Sequence, residues 1–252
     1  MMEIPKQSKM AHEAQRHFVE LAARNLPSFF KDCTVLEIGS LNLGKSVRDF
    51  FENCNYTGLD VGEGDGVDVV CGGQDFNAPD GSFKHVITCN AMEHNPYWKE
   101  TFANMIRLCQ QGGLITMTCA TIGCKEHGTI SSSPTSSPLS IGIGWDYYRN
   151  LTSSDFTNSF NLDRYFSAYK FWHNWYTFDL YFLGLRNGKP DSSQVLDGWS
   201  QAVKVIGDSV EESNAPVPIK LRRIGAMLGG DEIFNKARRL HEKLNYLLNV
   251  TG

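Results

Sequence analysis

The chain has 252 residues, long enough to bury a sizeable core in one large domain without disulfide or metal staples. Its 24 Lys and Arg against 28 Asp and Glu leave a formal charge of -4, which speaks against a broad electrostatic nucleic-acid surface and favours a small or already charged ligand. Seven scattered cysteines, mostly in apolar stretches, fit buried free thiols in a reducing compartment, and Cys119 and Cys124 lack the second pair or histidine set of a zinc site. The N-terminal residues, with Lys6, Lys9, His12, Glu13 and Arg16, have no apolar core like that of a signal peptide, and no stretch is apolar enough to span a bilayer. The expectation is a cytoplasmic protein with no integral membrane segment.

In chain order, residues 8–30 read as a helix, because Ala11, Ala14, Phe18, Leu21 and Ala22 recur at helical spacing until Pro27 interrupts them. Residues 34–38 are a short apolar strand, followed by a turn from Gly39 to Gly44 and an amphipathic helix containing Val47, Phe50 and Phe51. A second strand runs over 56–59 and ends at Asp60, and a third is expected at 67–71. Pro79-Asp80-Gly81-Ser82 is a turn, after which 83–89 reads as the fourth strand. Residues 98–108 are helical, the stretch 110–113 closes that helix, and 114–121 is the fifth strand.

The segment 123–144 is rich in Ser, Pro and Gly and reads as a loop, either a lid or a plain surface connection. Thr152-Ser153-Ser154-Asp155 has the spacing of a helix cap, and the aromatic stretch 165–185 supplies two final strands. Residues 189–218 read as a linker, and 231–249 form an amphipathic helix suited to docking against the domain or in a homodimer. Strands alternating with helices predict an α/β, Rossmann-like, doubly wound and mainly parallel seven-stranded sheet with helices on both faces, plus a C-terminal helical extension. The division is an N-terminal helical segment at 1–30, a main domain at 31–188, and a linker with helical extension at 189–252.

The chemistry starts at Val35-Leu36-Glu37-Ile38-Gly39-Ser40. Glycine at the exit of the first strand lets the backbone approach a ligand closely, and the preceding carboxylate suits a cationic group. Asp60, at the end of the second strand, is placed to accept both hydroxyl protons of a ribose.

With these residues in place, 34–121 resembles the core of the small-molecule S-adenosylmethionine-dependent class I methyltransferases often called type 11. The resemblance rests on Leu36-Glu37-Ile38-Gly39, Gly58-Leu59-Asp60, Pro79-Asp80-Gly81-Ser82-Phe83, Asn90-Ala91-Met92-Glu93-His94 and Gly112-Gly113-Leu114-Ile115. It implies S-adenosyl-L-methionine as cofactor, with S-adenosyl-L-homocysteine as product. Glu37 would orient the methionine ammonium, Gly39 and Ser40 make room, Asp60 and Val61 hold the ribose, and Asn90 and Ala91 border the methionyl part. The chain departs from the family at Leu41 and Leu43, where further glycines are usual, and at Gly72, where an acid commonly meets adenine; Gly73, Gln74 or Asp75 would then hold adenine.

The reaction implied is direct displacement onto an oxygen or nitrogen of a small-molecule or glycan-type acceptor. His94, just past the fourth strand, is the candidate general base because an unperturbed imidazole titrates near neutral pH, with Glu93 as the alternative. His127 and Tyr147 lie in or beside the loop within reach of an acceptor, and no metal is expected. Asn95-Pro96-Tyr97-Trp98 lacks the second proline of the signature of nucleic-acid amino-group methyltransferases and lies too far past the strand end, so base methylation is disfavoured. Two alternatives stand: a nicotinamide-dependent Rossmann oxidoreductase, matching at Gly39 and Gly44 but carrying Leu41 where the backbone must approach a pyrophosphate, and a noncatalytic S-adenosylmethionine-binding module.

Overall fold

The computed structural model describes residues 6–44, 46–188 and 193–210. Seven strands, β1 (Thr34–Ile38), β2 (Asn55–Asp60), β3 (Val69–Val70), β4 (Phe83–Cys89), β5 (Cys109–Ala120), β6 (Phe166–Asn174) and β7 (Asp179–Arg186), form one sheet in the order β3-β2-β1-β4-β5-β7-β6. All pairs from β3 to β5 are parallel, whereas β7 runs antiparallel to both β5 and β6. The helices are α1 (Lys6–Asn25), α2 (Trp98–Leu108), α3 (Pro138–Gly142), α4 (Ser153–Ser159) and α5 (Ser193–Val210). This is the doubly wound Rossmann-like architecture expected from the alternation of elements.

Consecutive strand residues face opposite layers, so a sheet covered on both sides needs apolar residues at adjacent positions. Leu36, Val86, Ile115 and Met117 pack with Phe102 and Met105 of α2 and Phe156 of α4. Their neighbours Val35, Ile87 and Leu114 pack on the other side with Phe18, Val19 and Ala22 of α1 and Val195, Ala202 and Ile206 of α5. Phe18 stacks on Tyr181 of β7 at 4.5 Å between ring centres. The helix start read from Thr152 is a complete capping box, in which the Thr152 side chain accepts from the Asp155 amide and the Asp155 carboxylate accepts from the Thr152 amide.

Four local expectations change. The first helix stops at Asn25, and Pro27–Phe29 forms a separate 3-10 turn. The helix expected around Val47, Phe50 and Phe51 is a four-residue 3-10 turn, Val47–Phe50, because the chain is already extended at Phe51 and enters β2 at Asn55. The stretch expected to close α2 belongs to β5, whose pairing with β4 shifts register between Phe83 and His85. Finally, part of the expected linker is α5. Gly198, which reads as a turn residue, serves close helix contact instead, since a Cβ there would stand 2.3 Å from the Asn25 carbonyl oxygen at the end of α1. The amphipathic segment at 231–249, and with it the proposed homodimer surface, lies outside the described residues.

Ile206 is fully buried between α5 and the sheet layer. Ile206→Ala is expected to cost about 2–5 kcal/mol in urea unfolding, as for other buried isoleucines; a loss within about 0.5 kcal/mol, the range of surface substitutions, would mean that α5 does not dock.

Candidate functional site

In an open parallel sheet, ligands gather outside the carboxyl ends of the strands where the strand order reverses. Here that point lies between β1 and β4, because β2 and β3 extend the sheet on one side and β4 and β5 on the other. Seven of the residues singled out in the sequence meet there: Glu37, Gly39 and Ser40 at the end of β1, Asp60 and Val61 at the end of β2, and Asn90 and Ala91 just past β4.

The two exits are packed to contact. Gly39 has φ +79°, and a Cβ on it would stand 2.3 Å from that of Ala91. Asn90, also left-handed at φ +50°, turns the chain toward Gly39 while its amide donates to the Thr118 carbonyl and its Oδ1 accepts from the Thr118 hydroxyl at 2.9 Å. On the other flank the amides of Gly39 and Ser40 both donate to the Leu59 carbonyl. The Asp60 carboxylate accepts from the Leu41 amide at 3.0 Å and the Val61 amide at 2.8 Å, which fixes its position at the strand end. Burial raises the Asp60 pKa, and these two amides oppose that effect. The Ser40 hydroxyl is buried without a hydrogen-bond partner.

Glu37 is 5% exposed, and its carboxylate accepts from the Tyr56 hydroxyl at 2.8 Å. Burial pushes its pKa up to about 7, against the stabilising pull of Tyr56 and Arg48. Gly73 and Gln74 sit beside the same edge but are fastened to α2. The Gly73 carbonyl accepts from Asn104 at 2.8 Å, and Gln74 binds Thr101 and Asp75 through its amide oxygen and nitrogen. A Cβ on Gly73 would stand 2.7 Å from Ile38 at the end of β1, so this turn closes down on the first strand.

His94 belongs to a second, deeper group on the β5 side. Its ring lies 5.0 Å from that of His127 and 5.6 Å from that of Tyr148. Burial, followed by the neighbouring His127, drives its pKa down to about 3, so the near-neutral titration expected of a general base is removed and the ring is neutral. Beside it Glu93 is fully buried, and burial pushes its pKa up to about 8 against the opposing pull of the nearby Glu93 and Ala120 amides. Asp179, which opens β7, is likewise buried, keeps one oxygen without a partner, and is pushed up to about 7 by burial. The Thr121 hydroxyl is buried and unpartnered as well, and the buried Thr177 side chain lies beside Asp179. Sequence reasoning passed over Asp179, Thr121 and Thr177. A signal for the rest was present, since the dipeptide Glu-His occurs twice, at Glu93-His94 and at Glu126-His127, each soon after a strand.

The long loop leaving β5 spans this edge. Leu139 of α3 packs on Gly62, three strands away in the sheet, its Cδ2 lying 3.0 Å from where a Cβ of Gly62 would stand. The chain returns beside β4, where the Arg149 amide donates to the Glu93 carbonyl at 2.9 Å.

No family model matches the chain, and no curated protein matches its sequence. Among solved structures it is similar to the 1,6-didemethyltoxoflavin-N1-methyltransferase of Burkholderia thailandensis with bound S-adenosylhomocysteine, at 12% identity, TM-score 0.48, over 69% of this chain and 79% of that one. It is also similar to a phosphoethanolamine N-methyltransferase of Haemonchus contortus with S-adenosylhomocysteine, at 12% identity, TM-score 0.47, over 68% of this chain and 52% of that one.

Gly39→Ala is expected to destabilise the protein by more than about 1 kcal/mol, because it combines a left-handed backbone with a clash. Adding Ala91→Gly relieves the clash but not the backbone strain, so the double variant recovers only part of the loss in chemical denaturation. Full tolerance of the single substitution would show that the two exits are not in contact.

Proposed function

We propose that this chain is an S-adenosylmethionine-dependent methyltransferase acting on a small-molecule or glycan-type acceptor. The observation that carries the proposal is the placement of Glu37, Gly39 and Asp60 on one side of the β1/β4 switch point, with Asn90 and Ala91 on the other. The donor set fits the group. Asp60 is half-buried and positioned by two backbone amides, with acceptor capacity left for ribose hydroxyls. Glu37 offers a buried carboxylate for an ammonium, and the unpartnered Ser40 hydroxyl lies between them in sequence. Gly73 and Gln74 would border the adenine.

When bound, S-adenosylmethionine supplies a methyl group on a positively charged sulfur, which needs little covalent help. The chain's own part is to hold the acceptor in line and keep water out, and orientation of this kind is worth roughly 7–11 kcal/mol of barrier. The 122–150 segment, reaching from β5 to Gly62, is the element that would cover the site. A nicotinamide cofactor fits less well. The Leu41 amide, which stands where a fingerprint glycine would approach a pyrophosphate, is committed to Asp60, and the Leu41 side chain is pressed against Gly64.

Thermal unfolding in the presence of S-adenosylmethionine, S-adenosylhomocysteine, NAD and NADP tests the proposal. A ligand at a hundredfold its dissociation constant adds about 2.7 kcal/mol, and only the first two are expected to do so. Stabilisation by a nicotinamide cofactor, or by none of the four, would overturn it. Asp60→Ala is expected to weaken S-adenosylhomocysteine binding by about 1–3 kcal/mol in calorimetry; unchanged affinity in a folded variant would remove Asp60 from the site. Glu37 supplies a pH test. Its pKa near 7 means that ionisation must accompany ammonium binding, so affinity rises as pH passes from about 6 to about 8. Glu37→Gln is expected to flatten that rise, and an identical profile in both proteins would exclude the contact.

A further inference from the structure

Among the described residues, one group of side chains is close enough to share a metal ion: Glu93, His94 and His127, whose ligand atoms all lie within 4.8 Å of one another. Glu93 and His94 are held by the 3-10 turn Met92–His94 after β4, and His127 is delivered by the loop after β5. We infer that these three residues bind a divalent transition-metal ion of the zinc class, which clamps the loop onto the carboxyl end of β4.

Proximity and burial carry the argument. The His127 Nδ1 lies 2.8 Å from the Lys125 carbonyl oxygen, and a carbonyl only accepts, so Nδ1 carries the proton and Nε2 the lone pair. The His94 Nδ1 is buried without a hydrogen-bond partner, in a ring held neutral by burial. An imidazole N–H held by a backbone carbonyl, as at His127, is an arrangement that orients histidine ligands on a metal. The third ligand is a completely buried carboxylate that lies near the backbone amides of Glu93 and Ala120 and makes no well-formed hydrogen bond to a side chain. Burying such a group without a cation or donor is costly, and a metal ion removes the cost.

The surroundings fit the same ion. Two neutral imidazoles and a carboxylate suit Zn²⁺ or a related ion better than Mg²⁺ or Ca²⁺, and three ligands leave a position open to water. Asp179, close enough to Glu93 to act on it electrostatically and with one unpartnered oxygen, supplies the second negative charge that makes the site neutral overall. Gly128 lets the loop lie against His94, because a Cβ there would stand 2.9 Å from the His94 Nδ1. Tetrahedral coordination needs ligand atoms roughly 3.4 Å apart, so the site closes by about 1 Å on binding. The half-buried His127, carried on a loop, can make that movement.

The test uses the full chain, stripped with a chelator and titrated with Co²⁺, whose visible absorption reports low-symmetry coordination by nitrogen and oxygen. One Co²⁺ per chain, displaced by Zn²⁺, is expected. His127→Ala and Glu93→Gln should each weaken uptake on the order of tenfold or more, whereas His17→Ala, on the exposed side of α1, should not. Circular dichroism of the metal-free variants identifies any that fail to fold, and His127→Ala, altering only a loop side chain, keeps the comparison valid if Glu93→Gln does not fold. No uptake by the unaltered chain, or equal uptake by folded His127→Ala, would overturn the inference. Neither readout depends on methyl transfer, so the outcome is separate from the proposal above.

Discussion

The constraint on which the site depends is the position of β1 between two parallel neighbours reached by the chain in opposite directions. Because β2 lies on one side of it and β4 on the other, the segments leaving β1 and β4 diverge, and the sheet edge between them is not crossed by a short connection. The edge is instead closed by contact between residues too small to fill it, Gly39 and Ala91. The left-handed backbone at Gly39 and Asn90 follows from that contact, since both chains must turn sharply within one residue of their strands. Asp60 is then set by the turn it faces, through the Leu41 amide.

Acidic groups at this edge are buried to an unusual degree. Glu37, Glu93 and Asp179 are all at most 5% exposed, and burial is the leading cause of the raised pKa of each. A folded protein places ionisable groups so when something else satisfies them, and otherwise loses stability as they ionise. Glu37 is met by the Tyr56 hydroxyl, whereas Glu93 has no side-chain donor. The two ends of the edge therefore differ: one pairs a hydroxyl-bonded Glu37 with a half-buried Asp60, the other gathers Glu93, Asp179 and two imidazoles.

Most of the sheet was legible because its strands are local patterns with short turns between them. Thr34–Ile38 and Phe83–Cys89 are apolar runs bounded by turn residues, and Asp60 is recognisable as an acid closing such a run. The failures have physical causes. Val47, Phe50 and Phe51 have helical spacing, but too few residues precede β2 for a full helix to form. In α5 the stripe Val195, Trp199, Ala202, Val203 and Ile206 is helical, yet the polar 189–218 stretch reads as a linker, and Gly198 in it permits close packing. The polar cluster was harder still, because Glu93, His127 and Asp179 come from three separated segments. His94 itself was found, but its basicity is set by burial that only the folded chain reveals.

The antiparallel direction of β7 has its own consequence. Every parallel strand meets the ligand edge at its exit, whereas β7 meets it at its entrance, so the hairpin between Asn174 and Asp179 is presented there too. That hairpin is tied to the end of β5, where the Thr121 amide donates to the Phe178 carbonyl at 2.9 Å, and its Thr177 and Phe178 are buried. The half-buried Trp175 and Tyr176 can therefore be exchanged with less disturbance than Thr177 or Phe178. Selectivity grafted onto this corner would evolve independently of the parallel core, in the way a tool holder accepts different bits without a change of handle.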